Sequence, residues 1–108
     1  MTGPDGTGAP DAIEVAHEPD LDRYVVRLGG QVVGRTEYRS RSDGARVFFH
    51  TEIDPAFEGR GLASRLISGA LADTRDAGQR VVAECPFVRA YVQKRPDDYR
   101  DLVVTPQL

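Results

Sequence analysis

Apolar and polar residues alternate through the first half of the chain, and this pattern predicts an antiparallel sheet. In residues 23–28, Tyr24, Val26 and Leu28 share one face, while arginines take the other. A period of two residues is typical of a strand with one buried and one solvated face. Residues 13–16 are apolar enough to pair with it as a short first strand.

Glycine marks the turns that follow. Gly29 and Gly30 predict a two-residue hairpin turn. Both central positions of such a turn need positive φ angles, which glycine adopts readily. Residues 41–44 read as the next turn. Between them, residues 31–40 continue the alternation and predict a strand. Its inward residues are Val32, Thr36 and Tyr38, and its outward residues are Arg35, Glu37 and Arg39.

The longest predicted strand spans residues 45–54 and is rich in β-branched and aromatic side chains. Val47, Phe48, Phe49 and Ile53 indicate a half-buried strand. His50 and Glu52 occupy alternate positions, so they are expected to share a face with Phe48. Polar groups on an apolar face need partners or water. These two side chains therefore either serve a reaction or simply face solvent.

A helix is predicted over residues 61–77, where leucine and alanine recur at helical spacing up to Gly78. Residues 80–85 then form a short strand, and such a strand–helix–strand unit favours parallel pairing through a right-handed crossover. A second helix begins at Pro86 and ends near residue 95. Its expected buried residues are Phe87, Val88 and Tyr91, and residues 102–104 are a candidate edge strand.

Composition indicates one small domain. The chain has 108 residues and a net charge of −3, so there is no electrostatic basis for nucleic-acid binding. A single cysteine fits a reducing compartment, and no apolar run approaches the roughly 20 residues that cross a bilayer. Without a visible secretory signal, a cytoplasmic protein without membrane attachment is expected, either a monomer or a weak dimer. Residues 1–11 predict a flexible tail before a domain spanning 12–108.

The turn between the long strand and the first helix has the features of an anion site. Gly59 and Gly61 permit a tight turn with several amides directed at one point, and the helix N-terminus adds partial positive charge. Arg60 and Arg65 flank that turn, and Glu58 opposes them. The chain lacks the Gly-Lys-Ser/Thr of a P-loop, and Ser64 stands where a dinucleotide fingerprint needs a third glycine or alanine. A glycine-rich connector without a ligand is the alternative.

This run resembles the pyrophosphate loop of the GCN5-related N-acetyltransferases, whose pattern is Gln/Arg-x-x-Gly-x-Gly/Ala. Residues 58–63 match its last three positions and depart at the first, which is Glu58. Residues 50–53, 85–91 and 96–103, in this order, are similar to the small single-domain branch of that superfamily. The resemblance extends from about residue 13 to 103.

The resemblance implies an α+β fold. It would be a minimal, mostly antiparallel twisted sheet with one strand–helix–strand crossover and a second helix. It also implies acetyl-CoA as co-substrate, no metal, and an amine acceptor on either a small molecule or a protein. Residues 17–22 are too short for the helices that usually cover the acceptor side, so that side is expected to be open. The implied donor-binding residues are Ile53, Glu58, Gly59, Arg60, Gly61, Leu62, Ala63 and Ser64.

Four residues are candidates for the chemistry. Cys85 precedes Pro86 at the expected N-cap, where the helix dipole favours a thiolate, so it is either an acyl relay or a buried apolar residue. His50 and Glu52 are candidate bases for an incoming amine. Tyr91 resembles the superfamily tyrosine that protonates the departing thiolate, and otherwise it is a core aromatic. The leading hypothesis is an acyl-CoA-dependent N-acetyltransferase, and the alternative is a CoA-binding module without turnover.

Overall fold

A computed structural model describes residues 12–104. Within them, five strands form one sheet in the order β1-β2-β3-β4-β5. Strands β1 to β4 pair antiparallel, and β4 pairs parallel with β5. The predicted tail, residues 1–11, lies outside the described residues. The strands are β1 (Ile13–Glu18), β2 (Arg23–Leu28), β3 (Gln31–Ser40), β4 (Arg46–Ile53) and β5 (Val81–Ala83).

Helix α1 (Leu62–Asp76) connects β4 to β5, as the strand–helix–strand pattern predicts. Two shorter helices follow, α2 (Pro86–Gln93) and α3 (Pro96–Tyr99). Between β1 and β2 there is only a short 3-10 turn, Pro19–Leu21. The α+β class and the minimal meander-plus-crossover arrangement are therefore confirmed. None of the helices in the described part of the chain is long and apolar enough to cross a membrane.

The core lies between the sheet and the buried side of α1. Leu66, Ala70 and Leu71 of this helix are fully buried. They belong to one hydrophobic cluster with Tyr24 and Phe48 of the sheet. Aliphatic and aromatic burial of this kind is the main stabilising contribution in a domain of this size.

Polar contacts close the core at the C-terminal end of α1. The Arg46 guanidinium donates to the Tyr24 hydroxyl at 2.6 Å and to the Thr74 hydroxyl at 3.2 Å. It also lies 5.0 Å from the centre of the Tyr38 ring. Burial and a hydrogen bond to Asp73 raise the pKa of Tyr24 well above its usual value. This cluster joins strands β2, β3 and β4 to the helix.

A β-bulge in β3 corrects one sequence prediction. Val32 was expected to face the core, but it is exposed and Val33 is buried. Residues Val26 and Arg27 pair with Gly34 and Val32 respectively, which leaves Val33 as the extra residue. A bulge inserts one residue and shifts the facing of those beyond it, so strict alternation fails there.

A second bulge, in β4, corrects the placement of His50 and Glu52. Phe48 pairs with Tyr38 and His50 with Glu37, so Phe49 has no partner of its own. Because of this extra residue, His50 and Glu52 lie on the face opposite Phe48 rather than sharing it. Phe48 is completely buried, whereas Phe49 is 42% exposed.

The C-terminal part of the chain also differs from the prediction. Phe87 was expected on the buried side of α2, but it is 52% exposed, and Val88 and Val92 are buried instead. The candidate edge strand at residues 102–104 is reduced to one bridge between Val103 and Val81. Helix α3, which begins at a proline and contains two adjacent acids in its first turn, was not predicted.

Candidate functional site

The candidate site begins where β4 and β5 separate. Their pairing ends at Phe48 and Ala83. The next two amides, those of Glu84 and Cys85, both donate to the Phe48 carbonyl, at 3.0 and 2.9 Å. From there the chain turns into α2, while β4 continues to Ile53. Within the described residues, no strand pairs with residues 49–53 of β4 on this side. The structure therefore has a gap between these strands.

The glycine loop follows directly after this part of β4. Gly59 and Gly61 have φ angles of +82° and +75°, which glycine adopts without strain. Gly61 is the N-cap of α1, and no acid occupies the first helical turn. A Cβ atom built at either glycine would meet no heavy atom within 4 Å. The space beside both glycines is thus open, which lets a phosphate approach the backbone of this loop closely.

A cavity of 330 Å³ lies against this loop. It brings together most of the predicted donor-binding residues, and Phe57 and Phe87 also line it. The sequence analysis does not assign either to the site: it predicts that Phe87 is buried in the core, and it does not single out Phe57. The predicted residues at the cavity are Ile53, Glu58, Gly59, Gly61, Leu62, Ala63 and Ser64.

A second cavity of 350 Å³ adjoins the first and shares Ala63, Ser64 and Phe87 with it. It extends along α2 to Tyr91, Lys94 and Arg95. The two cavities together make a groove between α1 and α2. Its walls combine apolar side chains with the two cations at the far end, which suits a long ligand that carries phosphates.

Arg60 is the one predicted donor-binding residue that does not line either cavity. It is exposed, and its guanidinium lies 5.3 Å from the centre of the Phe57 ring. This cation–π contact holds the positive charge of Arg60 beside the cavity. Among the described residues, Arg60 has no carboxylate partner. Glu58 places a negative charge at the same cavity.

Cys85 lies inside the protein at the gap between the strands. It is 1% exposed, and its Sγ donates to the Thr51 hydroxyl at 3.2 Å. The Thr51 hydroxyl is also 2.9 Å from that of Thr36. Cys85 is the N-cap of α2, as predicted, but its side chain makes no capping bond. Thr51, which the sequence reasoning did not single out, is thus the immediate partner of the thiol.

His50 and Glu52 form a pair on the exposed face of β4. The Nε2 atom of His50 is 3.2 Å from Oε1 of Glu52. The same carboxylate oxygen lies 3.2 Å from the Arg35 guanidinium. The β4 bulge directs both side chains away from Cys85, so the structure brings the two base candidates together but separates them from the thiol by the sheet.

Tyr91 is half-buried at the second cavity. Its hydroxyl accepts a hydrogen bond of 3.4 Å from Tyr99 of α3, and the Arg95 guanidinium stacks 3.9 Å above its ring. Burial and the contact with Tyr91 raise the pKa of Tyr99 to about 12. Among the described residues, Tyr91 shares no hydrogen bond with Cys85, His50 or Glu52. It lines the groove between α1 and α2 instead.

Comparison with known proteins tests the family resemblance of this chain. A family model described as GCN5-related N-acetyl-transferase matches residues 23–102. The chain belongs to the GCN5-related N-acetyltransferase family. The resemblance of the glycine loop and its flanking segments is thereby confirmed.

A curated relative agrees with the assignment, and solved structures share the fold. The chain is 31% identical over 97 residues to "Protein NATD1" of Bos taurus, which covers 82% of each chain. A GCN5-like putative N-acetyltransferase from Staphylococcus aureus superposes with a TM-score of 0.64 at 17% identity, covering 91% of this chain and 92% of that one. N-acetylglutamate synthase from Neisseria gonorrhoeae, complexed with coenzyme A and N-acetyl-glutamate, gives 0.57 at 13% identity over 81% of this chain and 26% of that one.

Proposed function

We propose that the protein transfers the acetyl group of acetyl-CoA to the nitrogen of an amine acceptor. The observation that carries this proposal is the unpaired edge of β4, residues 49–53, leading directly into the open glycine loop. One of the structural neighbours is complexed with coenzyme A, which supports a CoA thioester as the donor class.

In the proposed complex, the amides of residues 59–63 bind the pyrophosphate at the N-terminus of α1. The pantetheine arm is an extended chain with amide groups. It can therefore bond to the free β4 edge as an added strand would, with Ile53 at the end next to the loop. The half-buried ring of Phe57 and the exposed ring of Phe87 supply apolar surface beside it. This arrangement places the thioester near the start of the gap, beside the bulge at Phe49.

Transfer requires the acceptor nitrogen to attack the thioester carbonyl, which forms a C–N bond and breaks the C–S bond. We assign the nitrogen's proton to the His50–Glu52 pair, because a hydrogen-bonded imidazole and carboxylate can receive it together. Tyr91 is the candidate donor to the departing thiolate, because it resembles the family tyrosine with that role and lines the groove that adjoins the donor cavity. Positioning the two reactants in one site contributes a further part of the rate.

Cys85 allows a second route, in which its sulfur takes the acetyl group before the amine does. Its burial and its bond to Thr51 favour the direct route, because the thiol has no base among the described residues to remove its proton. The N-terminus of α2 favours the relay, because it stabilises a thiolate. In the direct route Cys85 is a small side chain beneath the thioester.

A CoA-binding module without turnover is the second candidate function. Glu58 favours it, because a carboxylate at the donor cavity opposes a bound pyrophosphate. Titration calorimetry with acetyl-CoA and CoA, followed by an assay of thiol release with amines, separates the candidates. Binding with thiol release supports the transferase, binding alone supports the module, and no binding contradicts both.

Arg60→Ala is expected to weaken CoA binding several-fold at low salt and by less at high salt. The reason is that Arg60 is exposed and its attraction to phosphates is screened by ions. The melting temperature of the ligand-free protein should barely change. Calorimetric affinities at two ionic strengths check this, with Arg100→Ala as the control, since Arg100 is exposed and its one ion-pair partner among residues 12–104 is Asp97. A large loss of stability with intact binding would assign Arg60 to the fold.

Cys85→Ser is expected to retain CoA binding and most turnover if the amine attacks directly. Serine keeps the shape, caps α2 at least as well, and can bond to Thr51. Loss of turnover with intact binding would instead establish the relay. Mass spectrometry after incubation with acetyl-CoA gives an independent reading, because a relay adds one acetyl group to the wild-type protein and none to the variant.

A further inference from the structure

A third cavity, of 410 Å³, lies on the exposed face of the sheet, away from α1 and the glycine loop. It spans β2, β3 and the end of β4. Unlike the donor groove, its lining is dominated by opposite charges set around a small apolar floor. The charged residues are Arg23, Arg35, Glu52 and Asp54, and the apolar ones include Val25 and Val32.

Strand register explains how these charges meet. Val25 pairs with Arg35, and Arg35 pairs with Glu52, so one row of side chains crosses three strands. Arg23 and His50 lie in the next row, on either side of Glu37. Cross-strand partners project from the same face of a sheet, so both rows lie on this face, and the first row with Arg23 of the second lines the cavity. Of the charged residues that line the cavity, the two arginines lie on β2 and β3, and the two acids lie on β4 and just after it.

Both arginines have hydrogen-bonding capacity left for a ligand. Arg23 uses its Nε to bind Glu18 at 2.7 Å, and its terminal nitrogens bond to no residue between 12 and 104. Arg35 donates through Nε to Glu37 at 2.9 Å, and one of its two terminal nitrogens is close to Glu52. Their side chains are 32% and 37% exposed, so solvent reaches them. Guanidinium groups with free N–H donors bind carboxylates and phosphates.

We propose that this cavity is the acceptor site and that it selects a small amine carrying a carboxylate or phosphate next to its ammonium group. Arg23 and Arg35 bind the anionic group, and Glu52 with Asp54 attract the ammonium. A polyamine or a lysine side chain fits less well, because it has no anionic group to accept from the remaining N–H donors of Arg23 and Arg35. The proposal rests on the N-acetyltransferase function proposed above and names the substrate class for it.

The cavity connects to the donor site through one pair of side chains. Glu52 belongs to the cavity wall and is also bonded to His50. His50 in turn follows Phe49, at the bulge where β4 loses its pairing with β5. An ammonium bound at Glu52 is therefore next to the His50–Glu52 pair that would deprotonate it.

The test measures acetylated products by mass spectrometry with acetyl-CoA and four acceptor sets. These are a mixture of L-amino acids, the matching amino-acid amides, phosphoethanolamine and spermidine. We expect the free acids, phosphoethanolamine, or both to be acetylated, and the amides and spermidine to react at least ten-fold more slowly. Comparing the rates for the amino acids and for phosphoethanolamine shows whether a carboxylate or a phosphate is preferred. Equal rates for the amides, preference for spermidine, or no product from any set would overturn the proposal.

Single substitutions test whether Arg35 determines which acceptor the protein selects. Arg35→Gln should raise KM for the preferred acceptor about ten-fold to a hundred-fold, the usual weight of a hydrogen bond to a charged group, with a smaller effect on kcat. Arg27→Gln is the matched control, because Arg27 is on the same face of β2 and pairs with Glu14 and Glu18 outside the cavity. An unchanged KM in Arg35→Gln, or an equal rise in both variants, would contradict the assignment.

Two further readouts separate this inference from the proposed function. The affinity for acetyl-CoA, measured by calorimetry, should be the same in the wild type and in Arg35→Gln. If the wild type does not bind acetyl-CoA, the proposed transferase function itself is contradicted. With CoA bound, the preferred acceptor should shift the backbone amide NMR signals of Gly34 and Arg35, which line the cavity. Binding of acetyl-CoA without such shifts would overturn only the acceptor site.

Discussion

Gly61→Val is expected to abolish CoA binding, with a loss of affinity of about a hundred-fold or more. Gly61 caps α1 with a φ of +75°, and the space where its Cβ would lie is open. A valine there fills the position proposed for the phosphate oxygens. It also strains the backbone by about 1–3 kcal/mol, because β-branched residues avoid positive φ. Charged hydrogen bonds contribute about 1.5–3 kcal/mol each, so displacing two of them is enough for this loss. Calorimetry with CoA measures it.

Gly44→Val is the matched control for this substitution. Gly44 has a φ of +90° and equally open surroundings, but it lies in the turn between β3 and β4. Both variants should lose similar stability in thermal unfolding and keep a native circular dichroism spectrum, while Gly44→Val retains the CoA affinity. If Gly61→Val also retains it, the ligand does not use this loop.

The sequence predicts the order of elements because short-range signals determine them. The hairpin at Gly29 and Gly30 has positive φ at both residues, and the helix predicted up to residue 77 ends one residue earlier, at Asp76. Gly78, predicted to mark its end, also has a positive φ. Signals of this kind involve a few neighbouring residues and their backbone requirements. They do not depend on what packs against the element.

The two bulges were not predictable in this way. Their location depends on the pairing of one strand with its neighbour, which strict alternation within a single strand does not reveal. Val33 and Phe49 are the extra residues, and each changes the facing of the residues around it. The consequence for the site is large, because the β4 bulge moves His50 and Glu52 from the core face to the exposed face. The charged cavity on that face follows from this register.

The donor half of the candidate site was easier to predict than the acceptor half. Its loop is one continuous segment with a recognisable glycine spacing. Thr51, Phe57 and Phe87 were missed because hydroxyl and aromatic side chains at single positions carry no local signal of a ligand. Arg23 and Arg35 were interpreted as members of a solvated face, and only the register of three strands brings them together with Glu52.

Phe48→Ala is expected to destabilise the protein by about 3–5 kcal/mol, the usual cost of truncating a buried phenylalanine. Phe48 is completely buried, and its ring lies 5.5 Å from that of Tyr38 and 6.3 Å from that of Tyr24. The alanine leaves a cavity between α1 and the sheet, next to the point where β4 and β5 separate. Urea unfolding monitored by circular dichroism gives the free energy of unfolding, and CoA affinity should fall with it.

Phe49→Ala is the matched control and tests the bulge directly. The two phenylalanines are adjacent and chemically identical, but Phe49 is partly exposed and contacts the Arg39 guanidinium at 5.7 Å. Its truncation should cost about 1 kcal/mol or less, as exposed cation–π contacts contribute about 0.5–1 kcal/mol. Similar losses in both variants would mean that Phe49 is also buried. The β4 register would then be wrong, and the placement of His50 and Glu52 on the exposed face would fail with it.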